Sequence, residues 1–135
     1  MCIRDRYSPL RSGLHRFVNL EKPDFIGRDA LLEESKNGLP DIFVPFTLDD
    51  SGSMEQGTDM DAIYGCPVKS GGEVVGYTTS GGYGHCIEKS IALGYIRSDL
   101  AKPGTKVTIQ MFGREREATI GAEPLFDPNN ERLRA

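Results

Sequence analysis

The residues best equipped for chemistry sit in one short stretch, Thr78 to Ile96, which reads TTSGGYGHCIEKSIALGYI. It sets Gly81, Gly82 and Gly84 around Tyr83, then places His85 beside Cys86. A glycine loop can cradle a phosphate, but a dinucleotide fingerprint needs Gly-x-Gly-x-x-Gly after a strand and at the start of a helix. Here Ile87 stands at the third glycine position and SIALGYI reads as a strand, so no helix N-terminus is offered to a pyrophosphate. A thiol beside an imidazole suggests a nucleophile and its base, yet neighbours in an extended segment project to opposite faces and do not readily share a proton. A structural zinc site needs four ligands. Cys2, Cys66 and Cys86 are scattered, without a Cys-x-x-Cys, and only His15 and His85 could complete a set. No catalytic residue and no metal ligand is assigned on these grounds. The stretch reads instead as a wide glycine turn, Ser80 to Gly84, exposing Tyr83 and His85, which in a larger assembly could also line a ligand site.

The bulk of the chain limits the partners such a turn could serve. A globule of 135 residues buries roughly two-thirds of the surface of its unfolded chain, enough for one domain with a real core. A net charge of -4 and a pI near 5.2 argue against a nucleic-acid partner, which normally demands a basic face. No apolar run approaches the roughly 20 residues that cross a bilayer, so no membrane partner is expected. Three unpaired, widely spaced cysteines favour a reducing compartment, and a cytoplasmic location is expected. The first six residues, MCIRDR, carry charge where a secretory signal would be apolar; they read as a non-native leader, with Tyr7 the first authentic residue.

Positioning falls to short strands. Around Asp29-Ala-Leu-Leu-Glu-Glu, early acids, helix-forming residues and a closing Lys36 and Gly38 predict one short helix, about Arg28 to Lys36. Beyond it the period drops to two. DIFVPFTL is a strand in which Pro45 cannot donate to a ladder, so an edge or a bulge is expected there. CPVKSGGEVVGYTTS reads as two strands joined by a primed turn at Gly71-Gly72. SIALGYI is another strand, and Val107, Ile109 and Met111 share one face of the next. Phe112-Gly113 marks a reversal, after which Ala118 and Ile120 return inward. About six short strands imply a mostly β fold, a small antiparallel barrel or jelly-roll-like domain with one short N-terminal helix. The tract DDSGSMEQGTDMDA lacks calcium-loop spacing and reads as a long surface loop. Arg114 and Arg116 alternate with Glu115 and Glu117, which cross-strand pairing on a hairpin explains.

Five motifs in order carry a family resemblance. SPLRSGLHRFVNLEKPDFIGRDALL, GGEVVGYTTSGGYGH, KSIALGYI, KPGTKVTI and PLFDPNNERLRA together resemble the C-terminal region of the aminomethyltransferase superfamily. That group includes the glycine-cleavage T-protein and the C-terminal halves of dimethylglycine and sarcosine dehydrogenases, and the Gly-Tyr-Gly-His form looks nearer the dehydrogenase branch. The resemblance runs from Tyr7 to Ala135. Two positions depart from it. Arg11 stands where the family usually has Glu, and Glu88 stands where Gly often precedes Lys89-Ser90.

The resemblance implies a division: residues 7–40 as the end of a folate-binding region containing the short helix, and 41–135 as the C-terminal barrel domain. It implies a parent protein in which a flavin domain oxidises a small N-methylated amine to an iminium. A folate-binding region then passes the carbon to tetrahydrofolate. The catalytic carboxylate and most folate contacts would lie in regions outside this chain, as would FAD; the barrel would close one side of the pterin funnel. Arg132, just after Pro-Leu-Phe-Asp-Pro, is the best folate contact, its guanidinium suited to a glutamyl carboxylate. Arg134 is weaker, and so are Tyr83 and His85 as rim contacts. The rival expectation, different in class, is a free-standing, non-enzymatic β-barrel binding or scaffold module.

Overall fold

The computed structural model describes residues 7–49 and 60–134. The expected leader and most of the acidic tract, residues 50–59, lie outside the described residues. An N-terminal arm with a 3-10 turn at His15–Phe17 leads into helix α1 (Arg28–Asn37). Six strands follow: β1 (Asp41–Leu48), β2 (Pro67–Ser70), β3 (Glu73–Gly84), β4 (Lys89–Arg97), β5 (Lys106–Met111) and β6 (Arg114–Ile120). A turn of helix, α2 (Glu131–Arg134), lies in the C-terminal tail. The strands close into an antiparallel barrel in the order β1-β4-β3-β2-β5-β6, the mostly β architecture expected from the period-two segments.

Strand alternation decides what fills the barrel. Along β5, Val107, Ile109 and Met111 are buried while Thr108 and Gln110 are only partly covered. They meet Phe46 and Leu48 of β1, Ile96 of β4, and Ala118 and Ile120 of β6 in one core. Burying a side chain such as Phe46 or Ile109, both 0% exposed, contributes about 1.5–3 kcal/mol each. Two hairpins have the turns their residues predict. Gly71 and Gly72 have φ of 58° and 86°, and Phe112 and Gly113 have 48° and 80°. Positive φ at both central positions is the primed geometry whose twist matches the flanking strands.

Pro45 refines one expectation. It is in no bulge and lies inside a strand of a closed barrel, buried and opposite Leu93 of β4, but its other flank has no strand partner and is in that sense an edge. β6 pairs only with Phe46–Leu48, so the upstream part of that flank is served by irregular chain. The Phe43 N–H donates to the Arg11 carbonyl at 2.8 Å, and the Gly121 N–H donates to the Pro45 carbonyl at 2.9 Å. A missing N–H is tolerated where no ladder partner asks for one.

The glycine tract corrects another. Ser80 to Gly84 is not a turn: β3 runs through Gly84, and the reversal is the four-residue loop His85–Glu88, closed by the Gly84↔Lys89 pair. Close packing accounts for Gly81 and Gly84, whereas a Cβ on Gly82 would meet nothing within 4 Å. A Cβ on Gly81 would strike the Ala62 backbone, and one on Gly84 would meet Ile91 Cδ1 at 2.5 Å. Likewise a Cβ on Gly76 would run into the Tyr95 carbonyl, and one on Gly94 into the Tyr77 carbonyl. Since Tyr77 and Tyr95 are register partners, two Gly-Tyr dipeptides lie against each other on β3 and β4.

Candidate functional site

The outer face of that Gly-Tyr pairing is where the molecule builds its most elaborate side-chain cluster. Tyr95 is 3% exposed yet stands outside the barrel core. The arm covers it. Tyr7 stacks on its ring with centroids 3.9 Å apart and planes within 16°, Phe43 tilts against it at 5.2 Å, and Ser12 Oγ lies 3.1 Å from its hydroxyl. The Tyr7 and Tyr77 hydroxyls share a short hydrogen bond.

Arg11 locks the arm in this position. Its Nε and Nη2 donate to the two carboxylate oxygens of Asp41 at 2.7 and 2.6 Å, and its guanidinium carbon lies 4.7 Å from the centre of the Tyr7 ring. A bidentate pair fixes orientation as well as charge. Burial, and next the negative charge of Asp41, push the Tyr7 phenol above its usual pKa, with Arg11 opposing them. At the position where the resemblance leads one to expect Glu, Arg11 is thus committed to holding the arm on β1.

Two clefts follow the arm. One of about 500 Å³ is lined by Tyr7, Pro9, Ser12, Leu14, Phe43, Thr79 and Tyr95. The other, about 630 Å³, lies between the arm, α1, β1 and the tail, and its lining includes Leu14, His15, Arg16, Phe43 and Glu123. Both combine apolar walls with a few polar groups, the usual make-up of a small-molecule site. Helix α1 contains no fully buried residue, and Phe17 and Ile26 of the arm are 71% and 104% exposed.

The residues expected from sequence fall elsewhere and do not all meet. Tyr83, near the end of β3, touches His85 edge to face at 5.0 Å, and both are exposed at the β3–β4 hairpin. Arg132 lies on α2 with its guanidinium 5.3 Å from the Phe126 ring. Asp127 caps that turn, accepting hydrogen bonds from the Glu131 and Arg132 backbone N–H groups at 2.8 and 3.2 Å. Arg134 is exposed on the same turn. Among the described residues no salt bridge involves Arg132, so its charge is available to an anion.

Two further readings change. His85 and Cys86 belong to the hairpin loop rather than to an extended segment, and both are exposed. Glu115 pairs with Lys69 of β2 at 2.9 Å, reaching across β5, instead of within its own hairpin. Arg116 donates to the Met60 carbonyl at 3.4 Å. Among the described residues no group of three or more His, Cys, Asp or Glu could hold a metal ion, and no helix is long and apolar enough to cross a membrane. Sequence reasoning missed Tyr7, Ser12, Phe43 and Tyr95; the signal available was the repeated Gly-Tyr at 76–77 and 94–95.

Comparison with known proteins gives a consistent pattern. Residues 44–127 match the family described as the glycine cleavage T-protein C-terminal barrel domain. Mitochondrial dimethylglycine dehydrogenase of Homo sapiens is 36% identical over 129 residues, which is 93% of this chain and 14% of that protein. The aminomethyltransferase of Symbiobacterium thermophilum is 37% identical over 125 residues, 92% of this chain and 31% of that protein. The crystal structure of glycine cleavage system aminomethyltransferase T from Bartonella henselae superposes with a TM-score of 0.72 over 87% of this chain and 32% of that one, at 24% identity. That last likeness speaks for the fold alone. The chain therefore spans a third or less of the proteins it is similar to.

Proposed function

From the premise that the chain belongs to the glycine cleavage T-protein C-terminal barrel family, we propose that it closes one side of a folate site in a larger aminomethyltransferase-type protein. The parent is of the dimethylglycine or sarcosine dehydrogenase kind. A flavin region bearing FAD oxidises a small N-methylated amine, and the carbon passes to tetrahydrofolate. The observation that carries this reading is the 36% identity to human dimethylglycine dehydrogenase over 93% of the chain. It extends well ahead of residue 44, where the barrel family begins, and so takes in the arm. Within this reading residues 7–40 end the folate-binding region, and 41–135 are the barrel.

Tetrahydrofolate, when bound, supplies the nucleophilic nitrogen that accepts the carbon. The residues of this chain fit a supporting part. Arg132 presents a guanidinium without an acidic partner among the described residues, suited to a glutamyl carboxylate. Tyr83 and His85 offer an exposed aromatic edge. The barrel and its arm exclude water from one wall while catalytic groups come from other regions. Nucleic acid and membrane are not partners in this reading, and the compartment is a reducing one, cytoplasmic by the cysteine pattern, although the mammalian relatives are named as mitochondrial.

Titration calorimetry tests the reading. The isolated chain should bind tetrahydrofolate no better than millimolar, and a micromolar constant would overturn the supporting role. In the full-length parent, Arg132→Ala should weaken folate binding by about 1.5–3 kcal/mol, the usual worth of a hydrogen bond to a charged group. An unchanged affinity removes Arg132 from the site.

A further inference from the structure

Four of the five tyrosines form one continuous run of ring contacts. Tyr64, 56% exposed, lies edge-on to Tyr77 with centroids 6.3 Å apart. Tyr77 is 6.0 Å from Tyr95, and Tyr95 stacks on Tyr7 at 3.9 Å. The run thus leads from an exposed ring to a buried one. The sequence contains no Trp, so phenols are the most easily oxidised aromatic groups in the molecule. A phenol loses its proton as it loses an electron, and at the inner end of the run each has a hydroxyl partner. Tyr7 bonds to Tyr77, and Tyr95 to Ser12 Oγ.

We propose that this run is an oxidative-modification site. One-electron oxidants such as photogenerated metal complexes or peroxidase-type centres draw electrons through Tyr64, and the reaction ends in a carbon–carbon bond between Tyr7 and Tyr95. Each of these two phenols gives one electron to the oxidant and one proton to solvent. The two phenoxyl radicals couple through ring carbons ortho to oxygen, and each ring then regains aromaticity by moving its ortho hydrogen to oxygen. The sum is two electrons and two protons lost and one covalent bond made. Stacking selects the pair: planes within 16° at 3.9 Å bring ring carbons into van der Waals contact. Tyr7 and Tyr77 meet through their oxygens instead. The product would fasten the arm to β4 by a bond in place of stacking and hydrogen bonds.

The test uses the full 135-residue chain, illuminated with tris(bipyridyl)ruthenium and persulfate as terminal electron acceptor. A monomeric product lighter by two hydrogen atoms is expected, with dityrosine fluorescence and a proteolytic fragment joining the peptides that carry Tyr7 and Tyr95. Tyr7→Phe should abolish that product. Tyr64→Phe, at an exposed position that leaves the fold intact, should slow it several-fold, whereas Tyr83→Phe should leave its rate unchanged. A monomeric link to Tyr77 or Tyr83, links between molecules only, or the same rate with Tyr64→Phe would each overturn the proposal.

Discussion

Glu88 holds a conformation its side chain resists, with φ of 54° at the close of the β3–β4 hairpin. A left-handed backbone crowds the Cβ of an L residue by roughly 1–2 kcal/mol, and glycine escapes this at some entropic cost. Glu88→Gly should therefore raise stability by about 0.5–1 kcal/mol in urea denaturation. A loss would mean that the Glu side chain is doing something the backbone argument omits. The Arg11–Asp41 pair, with side chains 19% and 25% exposed, is better shielded than a surface bridge, and Asp41→Ala should lower stability by about 1 kcal/mol. Tyr7 adds a pH dependence. Its folded pKa is raised, first by burial and then by Asp41, so its contribution is complete below the unfolded value of 10.0 and is lost as pH climbs through the folded one. Alkaline titration should loosen the arm, and Tyr7→Phe should remove that part of the loss. At this level the sequence was uneven. Glu88 was visible as a departure from glycine, and the structure supplies the reason it matters; Arg11 was visible as a departure too, but its partner lies 30 positions away and no spacing rule points to it.

Strands and hairpins were the most legible layer because their signals are local. The alternation of Val107, Ile109 and Met111, and the Gly71-Gly72 and Phe112-Gly113 reversals, need only neighbouring residues to be understood. The glycines of β3 needed more, since a glycine that turns the chain and one that admits a neighbouring backbone look identical in sequence. Gly76 and Gly94 belong to the second kind, and the residue each must accommodate sits on the partner strand. Gly94→Ala would force a Cβ into the Tyr77 carbonyl. A backbone cannot rotate aside as a side chain does, so a loss of about 3 kcal/mol or more is expected, at the upper end of overpacking. Thermal melting that moves by only a degree or two would contradict it. Pro45 teaches the same lesson in reverse: its tolerance depends on where β6 stops, which no property of DIFVPFTL reveals.

Considered as a molecule, the barrel was foreseen and its clefts were not. Closing six strands requires only that each have an apolar face, whereas the wall of Tyr7, Phe43 and Tyr95 is assembled from an arm, β1 and β4, three segments with no shared period. The same layout bears on biosynthesis. β1 is the first strand of the barrel to leave the ribosome, yet its partners are β4 and β6, and the Thr47–Thr119 contact spans 72 positions. Until the last hairpin has been made, the nascent polypeptide carries Val44, Phe46 and Leu48 on an unsealed strand, the state chaperones recognise. A chain ending at Met111 should accordingly be digested by a protease that the 135-residue form withstands, so premature termination here would yield a target for degradation.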